Sequence, residues 1–431
     1  MRAVMGQSPT RAVPMDARLV RWVLSSVAYL TLPVAMYAPK GLAPLFATAA
    51  LALVVRGIAM RRLEFRFGPF GAAFSALVLY SVLSMIWSIA PLEAVKTAPS
   101  LAAMGVGGLL LVAAARVLDA TDRAFVCRAI AIGGAIGYGL FAVERASGEF
   151  IMRTGRALFD LLQFAPNDYP LKLNSAYAIA ALFAWPWLAA LRRSMSAAAA
   201  LAGVLVVVAI LLFSEADAPK FAIFGGVLTA ILAFVARRGM RWVASVAIVF
   251  GVAAMPYIAT ILPNPLVSIK GYDFLSPSAQ HRMVIWRTTV DHIKKRPILG
   301  IGFDTTRDLY SSKDAVVLHF RPDEPDKAWV NFFAPIPLHP HNGILQVWLE
   351  LGAVGAAILA ALLIAIILAI ERAVVERFDK AMAYGAFGSA LFIALVSFGA
   401  WQNWWLCGAI LCATLMAAVV ATRSEPADSS R

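Results

Sequence analysis

The sequence predicts an all-α, polytopic membrane protein with about 12 transmembrane helices and one large, partly helical loop on the outer side. Of its 431 residues, 61% are hydrophobic, and the mean hydropathy is +0.76. Soluble domains are only about 45–50% apolar. In addition, the chain contains twelve long apolar stretches, and basic residues cluster at every second connection between them. These three observations together favour a multi-pass protein.

A helix needs roughly 20 apolar residues to cross a bilayer. Twelve stretches approach that length, and we predict a span at each of them. They lie near residues 19–38, 41–60, 70–90, 98–116, 125–143, 173–191, 195–214, 219–236, 240–262, 342–370, 381–400 and 404–422.

The net charge of +13 has a topological explanation. Short cytoplasmic loops of membrane proteins are enriched in Lys and Arg. With the N-terminus in the cytoplasm, every second connection carries such a cluster. The clusters are Arg2, Arg11, Arg18 and Arg21; Arg56, Arg61, Arg62 and Arg66; Arg116, Arg123 and Arg128; Arg192 and Arg193; Arg237, Arg238 and Arg241; Arg372, Arg377 and Lys380; and Arg423 and Arg431. This distribution predicts both termini in the cytoplasm and argues against a nucleic-acid partner.

The chain divides into four parts. Residues 1–262 contain nine predicted spans, with a segment at 144–172 whose "ALFDLLQF" core suits a helix lying on the outer membrane face. Residues 263–341 form a large outer loop, residues 342–422 contain three spans, and residues 423–431 form a cytoplasmic tail. The loop is far longer than an ordinary connector. It contains a helix that Ser276 and Pro277 begin and "KKRP" ends.

The outer loop holds every histidine of the chain: His281, His292, His319, His339 and His341. Pro340 keeps His339 out of helical geometry, which places His341 at the start of the tenth span. Imidazole titrates near neutral pH, and so suits a general base for a hydroxyl nucleophile. A helix-capping histidine is the structural alternative. A metal site formed by His-Pro-His is a second alternative, but no nearby carboxylate or cysteine cluster completes it.

Three polar residues follow at intervals of four, namely Asn342, Gln346 and Glu350. They lie on one face of an otherwise apolar helix. Polar groups in a membrane span usually face a protein interior or a wet cavity. We therefore expect a polar pocket below His341, with an ordinary polar seam between helices as the alternative.

Two further cationic residues are candidates for binding an anion. Arg282 shares a helix face with Trp286, and its guanidinium could clamp a phosphate. A salt bridge with Asp273 or another acid of the loop is equally compatible with the spacing. Lys220 lies at the outer start of the eighth span, where a helix N-terminus attracts anions; an interfacial lysine is the alternative. The "WQNWW" run at Trp401–Trp405 is typical of an aromatic belt, and sugar stacking is its alternative.

These motifs resemble those of the O-antigen ligase and polymerase superfamily. Its members share an Arg-x-x-x-Trp helix, an "RPILGIG"-like turn, and a His-Asn pair that opens a span containing Glu-x-Gly-x-x-Gly. Here they correspond to Arg282 and Trp286, to residues 296–302, to His341 and Asn342, and to residues 350–355. The resemblance covers roughly residues 200–370.

The resemblance implies a metal-independent glycosyltransferase without a cofactor, active at the periplasmic face of the bacterial inner membrane. Such enzymes take a glycan from undecaprenyl diphosphate. By resemblance His341 acts on the acceptor hydroxyl, with His339 supporting it. Arg282 and Lys220 bind the diphosphate, Lys220 in place of an arginine common in the family. Substrate-binding roles for Arg287, Asn342 and Trp286 are also expected.

Three functions are compatible with these features. The first is an O-antigen ligase that transfers the glycan to a sugar of lipid A–core. The second is a polymerase of O-antigen or exopolysaccharide repeat units. The third, a transporter of lipid-linked sugars, predicts charges midway through several spans and an internal repeat, and the sequence shows neither. We expect the ligase.

Overall fold

The computed structural model describes residues 15–59, 68–161, 173–214, 217–236, 239–268, 270–272, 274–310 and 314–420. These residues form fourteen α-helices and one antiparallel pair of strands. The helices are α1 (Met15–Tyr37), α2 (Leu42–Ala59), α3 (Pro69–Leu83), α4 (Pro91–Arg116), α5 (Ala120–Ala146), α6 (Phe150–Leu161), α7 (Asn174–Ser194), α8 (Ala197–Leu212), α9 (Asp217–Ala236), α10 (Met240–Ile261), α11 (Pro277–Lys295), α12 (Gly343–Ala373), α13 (Arg377–Val396) and α14 (Asn403–Val419); the strands are β1 (Val316–Phe320) and β2 (Trp329–Phe333). The tail predicted at 423–431 lies outside the described residues.

The predicted polytopic all-α fold is confirmed. Within the described residues, ten helices are long and apolar enough to cross a membrane: α1, α2, α3 with its short extension, α4, α5, α7, α9, α10, α12 and α13. Two more, α8 and α14, are apolar but have only 16 and 17 residues. Each of the twelve predicted stretches therefore corresponds to a helix, and ten of them reach spanning length.

The helix bundle is held together by close packing around α7, the most buried of the ten candidate spans. The Trp187 indole on α7 donates to the carbonyl of Ala131 on α5 at 2.9 Å. It lies directly against Gly134, where a Cβ would collide with the ring. The Tyr138 hydroxyl donates back from α5 to the Ala180 carbonyl at 2.7 Å. Small residues and polar bonds of this kind are the usual means of joining helices inside a membrane.

The segment predicted to lie on the outer face contains the helix α6, which includes residues 157–161 of the predicted "ALFDLLQF" core. Glu144 at the end of α5 is fully buried, and its Oε1 accepts the Met152 N–H at 3.1 Å. This bond fixes the angle at which α6 leaves α5. Residues 162–172 of the segment lie outside the described part.

The large loop contains the predicted helix and an unpredicted hairpin. The helix is α11, and Ser276 caps it by accepting the Ala279 N–H at 3.3 Å. The hairpin pairs β1 with β2, with Val317 opposite Phe332. On its other face the Phe320 and Trp329 rings stack at 3.6 Å between centroids. The loop is therefore folded between its two membrane attachments.

Helix α12 is broken at Gly352, whose φ of 63° and ψ of −160° are non-helical. Residues 297–302 run alongside the break and bond to its backbone. The Ile301 N–H donates to the Leu349 carbonyl at 3.0 Å, the Gly302 N–H to Glu350 at 2.9 Å, and the Ala353 N–H to Pro297 at 2.9 Å. Unpaired backbone groups are costly in an apolar surrounding. The "RPILGIG" turn thus supplies the partners that the broken helix lacks.

Candidate active site

The His339–Pro340–His341 turn lies at the N-terminus of α12. Asn342 begins the helix, because its Oδ1 accepts the Leu345 N–H at 3.0 Å. His341 has a φ of +56°, a left-handed conformation that is uncommon outside glycine. The Trp286 indole on α11 donates to the Pro340 carbonyl at 3.0 Å. Trp286, expected from sequence to bind substrate, therefore holds the turn in this conformation.

Hydrogen bonds define where each histidine carries its proton. His341 Nδ1 lies 2.7 Å from the Ser397 carbonyl, which can only accept, so Nδ1 carries hydrogen and Nε2 has the lone pair. The backbone N–H of His341 donates to His339 Nδ1 at 3.2 Å, so neutral His339 carries its proton on Nε2. The Gln402 amide nitrogen lies 3.0 Å from that Nε2, and the Gln402 Oε1 has no hydrogen-bond partner among the described residues. Exchanging the nitrogen and oxygen of this amide places its oxygen where it accepts the Nε2 proton. The Nε2 of His341 thus carries the lone pair of the neutral ring.

Both imidazoles are neutral at pH 7. Burial lowers the pKa of His339 to about 3, aided by the charges of His341 and Arg307. Burial also lowers the pKa of His341; the Ser397 carbonyl acts in the opposite direction, and Arg282 lowers the pKa further. A neutral imidazole is the form that can accept a proton.

Charged groups at the starts of α9 and α11 act on one another and on His341. Burial lowers the pKa of His281 to about 4, and the charges of His341 and Arg282 add to the effect. Burial also lowers the pKa of Arg282, while the charge of Asp217 opposes the change. Arg282 therefore lies within electrostatic reach of His341 on one side and Asp217 on the other. Lys220 Nζ lies 3.6 Å from Asp217 Oδ1, which links Lys220 to the same cluster. Asp273, the acid considered as a partner for Arg282, lies outside the described residues.

Two other expected site residues have structural contacts. The Arg287 guanidinium donates through Nη2 to the Leu262 carbonyl, joining α11 to the end of α10. Asn342 is fully buried and uses its oxygen to cap α12; its Nδ2 has no hydrogen-bond partner among the described residues. The geometry also disfavours a His-Pro-His metal site. The Nδ1 atoms of both rings are engaged, and the Nε2 of His339 faces Gln402.

The polar stripe of α12 ends at a buried carboxylate with five hydrogen bonds. Glu350 is fully buried and accepts from groups on three segments. The donors are Asp304 N at 2.7 Å, Thr306 N at 3.3 Å, Thr306 Oγ1 at 2.5 Å, Gln346 Nε2 at 3.0 Å and Trp401 Nε1 at 2.6 Å. The stripe was expected to face a polar pocket. Instead, protein groups occupy the positions around Glu350.

Sequence reasoning assigned no role to Arg307, although its charge acts on His339. Its Nη2 donates to both Asp304 oxygens, at 2.9 and 3.0 Å, and Thr97 Oγ1 on α4 donates to Asp304 Oδ2 at 2.5 Å. Burial raises the pKa of the Asp304 carboxyl. An Arg three residues after an Asp is a common pattern, and nothing in the sequence distinguishes this pair.

Sequence reasoning also missed the segment 397–402, which contacts the side chains of both His339 and His341. It contributes a backbone carbonyl and a glutamine. Neither type of group is distinctive in a search for catalytic residues. Trp401 and Trp405, interpreted from sequence as belt residues, are 7% and 5% exposed, so they pack inside the protein.

Part of the chain is similar to a known protein family. The family described as O-antigen ligase matches residues 179–360. Over these residues the chain is similar to the O-antigen ligase family. Every site residue expected from sequence lies inside the region matched by the O-antigen ligase family, whereas the segment 397–402 follows it.

Three relatives from Rickettsia species carry the name "Putative polysaccharide ligase". The Rickettsia bellii protein is 28% identical over 302 residues, which are 69% of this chain and 68% of the relative. The Rickettsia typhi protein is 27% identical over 281 residues, 65% of this chain and 64% of the relative. The Rickettsia prowazekii protein is 28% identical over 285 residues, with the same coverage of 65% and 64%. The matched part thus spans about two thirds of each relative.

Proposed function

We propose that the protein is an O-antigen ligase of the bacterial inner membrane. It transfers a polysaccharide from undecaprenyl diphosphate to a sugar hydroxyl of lipid A–core at the periplasmic face. The observation that carries the proposal is the His341 geometry: a neutral imidazole whose Nε2 lone pair is left for a proton, within electrostatic reach of Arg282. The family match and the names of the relatives support it.

The proposed reaction needs a base and a cluster of cations. His341 Nε2 takes the proton of the acceptor hydroxyl as its oxygen attacks the anomeric carbon of the donor sugar. The bond from that carbon to the diphosphate oxygen breaks, and negative charge develops on the diphosphate. Fixed cations stabilise such charge, and Arg282 and Lys220 fill that role. Arg282 offers a bidentate fork, whereas Lys220 acts as a point charge.

The proposal is tested by replacing His341 with alanine in a strain that lacks its own ligase. We expect transfer to fall at least about 100-fold, since general-base catalysis contributes about 10²–10⁴. The readout is the lipopolysaccharide ladder on gels, together with the amount of lipid-linked polymer. The matched control is His319→Ala, because His319 belongs to the same loop but lies on the exposed hairpin.

The outcomes separate the candidate functions. Loss of long chains with accumulation of lipid-linked polymer supports ligation. Single repeat units on the core would instead indicate a polymerase, the alternative from the sequence. A full ladder at normal intensity in the His341→Ala strain, with the variant present in the membrane, would contradict both.

A further inference from the structure

The segment from Ser397 to Gln402 connects α13 to α14 and touches both histidines of the proposed site. Its first residue accepts the His341 Nδ1–H through the Ser397 carbonyl at 2.7 Å. Its last residue, Gln402, lies 3.0 Å from His339 Nε2. Between them, Gly399 packs against the His339 ring so closely that a Cβ would meet it at 3.0 Å. The orientation of both rings therefore depends on the position of this segment.

Two bonds from α12 hold the segment. The Ala400 N–H donates to Gln346 Oε1 at 2.8 Å, and the Trp401 indole donates to Glu350 Oε2 at 2.6 Å. Gln346 is itself oriented by Glu350, to which its Nε2 donates at 3.0 Å. Both bonds thus lead to the same carboxylate.

The hydrogen-bond donors around Glu350 hold its carboxylate in place. Two backbone N–H groups and the Thr306 hydroxyl donate from the turn at residues 304–306. The indole of Trp401 and the amide of Gln346 complete the set, and neither group has an acceptor atom facing the carboxylate. Four of the five partners face the carboxylate with N–H groups that can only donate, and the Thr306 hydroxyl can donate as well, so the surrounding fits a carboxylate.

We propose that Glu350 is a positioning residue that holds the Ser397–Gln402 segment through Trp401 and Gln346, and thereby fixes the base geometry of His341. Glu350 does not touch the reacting atoms in this scheme. Glu350 acts on the His341 ring indirectly, by holding the segment whose Ser397 carbonyl accepts the Nδ1–H. Groups that hydrogen-bond to the second nitrogen of a metal-bound histidine orient its ring in a similar way. The expected effect on catalysis rests on the proposed function. The coupling of Glu350 to the His341 ring through residues 397–402 does not depend on it.

Trp401→Phe is the most direct test, because it removes one N–H donor and keeps an aromatic ring beside Phe303. The chain offers a matched control in Trp405→Phe. Trp405 is equally buried, four residues further on, and its indole N–H has no hydrogen-bond partner among the described residues. Glu350→Gln is a second variant, since an amide presents N–H groups to a site built from donors.

Two readouts are needed. The first is transfer by the full-length protein in membranes, using a lipid-linked glycan donor. We expect kcat of Trp401→Phe to fall about 10- to 100-fold, as is typical when such supporting partners are lost, with the donor KM within about twofold. Trp405→Phe should match the wild type in both constants.

The second readout requires no substrate. Diethyl pyrocarbonate reacts with neutral imidazole, and mass spectrometry of the labelled protein reports His341 separately from His339. The Ser397 carbonyl raises the pKa of His341, while His281, Arg282 and His339 are its other titratable neighbours. Loosening Ser397 should therefore move the labelling midpoint of His341 to lower pH in Trp401→Phe and leave it unchanged in Trp405→Phe.

The result that would overturn the inference is a Trp401→Phe protein with the kcat and His341 labelling of Trp405→Phe. Lower abundance with wild-type kcat per folded molecule and wild-type labelling would overturn it equally, because that pattern indicates a purely structural role. If the wild type transfers no glycan, the proposed function fails, and the labelling comparison still decides the coupling.

Discussion

At the residue scale, the site depends on a histidine held in an unfavourable backbone conformation. A non-glycine residue at positive φ costs about 1–3 kcal/mol and persists only when its surroundings enforce it. Here Trp286 holds the carbonyl before His341, and Ser397 holds its ring. The strain and its supports are consistent with a ring orientation needed for chemistry.

The pH dependence of transfer should report the state of His341. Burial and Arg282 lower the pKa of its imidazole below 6.5. Because the base must be neutral, the rate should be flat around pH 7 and fall only as the pH drops through this lowered pKa. Arg282→Gln removes a charge that lowers this pKa, so the acid limb of kcat should move to higher pH. An acid limb that stays in place, or moves to lower pH, would contradict the proximity of the two side chains.

At the element scale, the break in α12 explains two motifs that look unrelated in the sequence. Gly352 lies against the carbonyl of Ile298, and Gly300 lies against the backbone of Glu350. Both glycines have positive φ, and a Cβ at either position would collide with the backbone of the neighbouring segment. The "RPILGIG" turn and the "ELG" step are therefore two sides of one backbone contact.

Gly352→Ala should destabilise the protein. The φ of 63° with ψ of −160° belongs to a region that only glycine populates, at a cost of about 1–3 kcal/mol for other residues, and the clash with Ile298 adds to it. Gly251→Ala is the control, because Gly251 lies in α10 with open space around its Cα. Thermal unfolding in detergent should show a lower midpoint for the first variant alone. Equal midpoints would contradict the strained conformation.

The sequence predicted the secondary-structure elements more completely than the contacts between side chains. Apolar stretches predicted each of the ten candidate spans among the described residues, because burial in lipid leaves few other solutions. The break at Gly352 was missed, since an apolar stretch looks the same whether its helix is continuous or interrupted. The hydrogen-bond partners of Glu350 were missed for a related reason: Asp304 and Trp401 are distant from it in sequence. Among the candidate site residues, the histidine pair was recognisable because proline and histidine have distinctive local chemistry.

At the scale of the whole molecule, the basic residues at one end of the bundle also have structural partners. Arg123 donates to the carbonyls of Ala418 and Val420 at 2.9 and 2.8 Å, at the end of α14. Arg193 Nη2 lies 2.5 Å from Asp379 Oδ2 and joins α7 to α13. Charges that set the orientation of a membrane protein here also tie the helix ends together.

Cysteine labelling should test the orientation. The three native cysteines are buried, so they give a low background with a membrane-impermeant maleimide. Val317→Cys on the hairpin and Met195→Cys between α7 and α8 introduce thiols at sites 48% and 69% exposed. We expect Val317→Cys to react in spheroplasts and Met195→Cys to react only after lysis. The reverse pattern would place the proposed site in the cytoplasm.

The break in α12 also divides the helix into a part that can span the membrane and a part that contacts the loop. Helix α12 has 31 residues, and the part after Gly352, residues 353–373, is about 30 Å long at about 1.5 Å per residue, enough to cross the hydrocarbon core alone. The nine residues before the break are not needed for anchoring. We expect a bilayer that thickens or thins to tilt residues 353–373, while the backbone bonds from residues 297–302 keep residues 343–351 beside the loop.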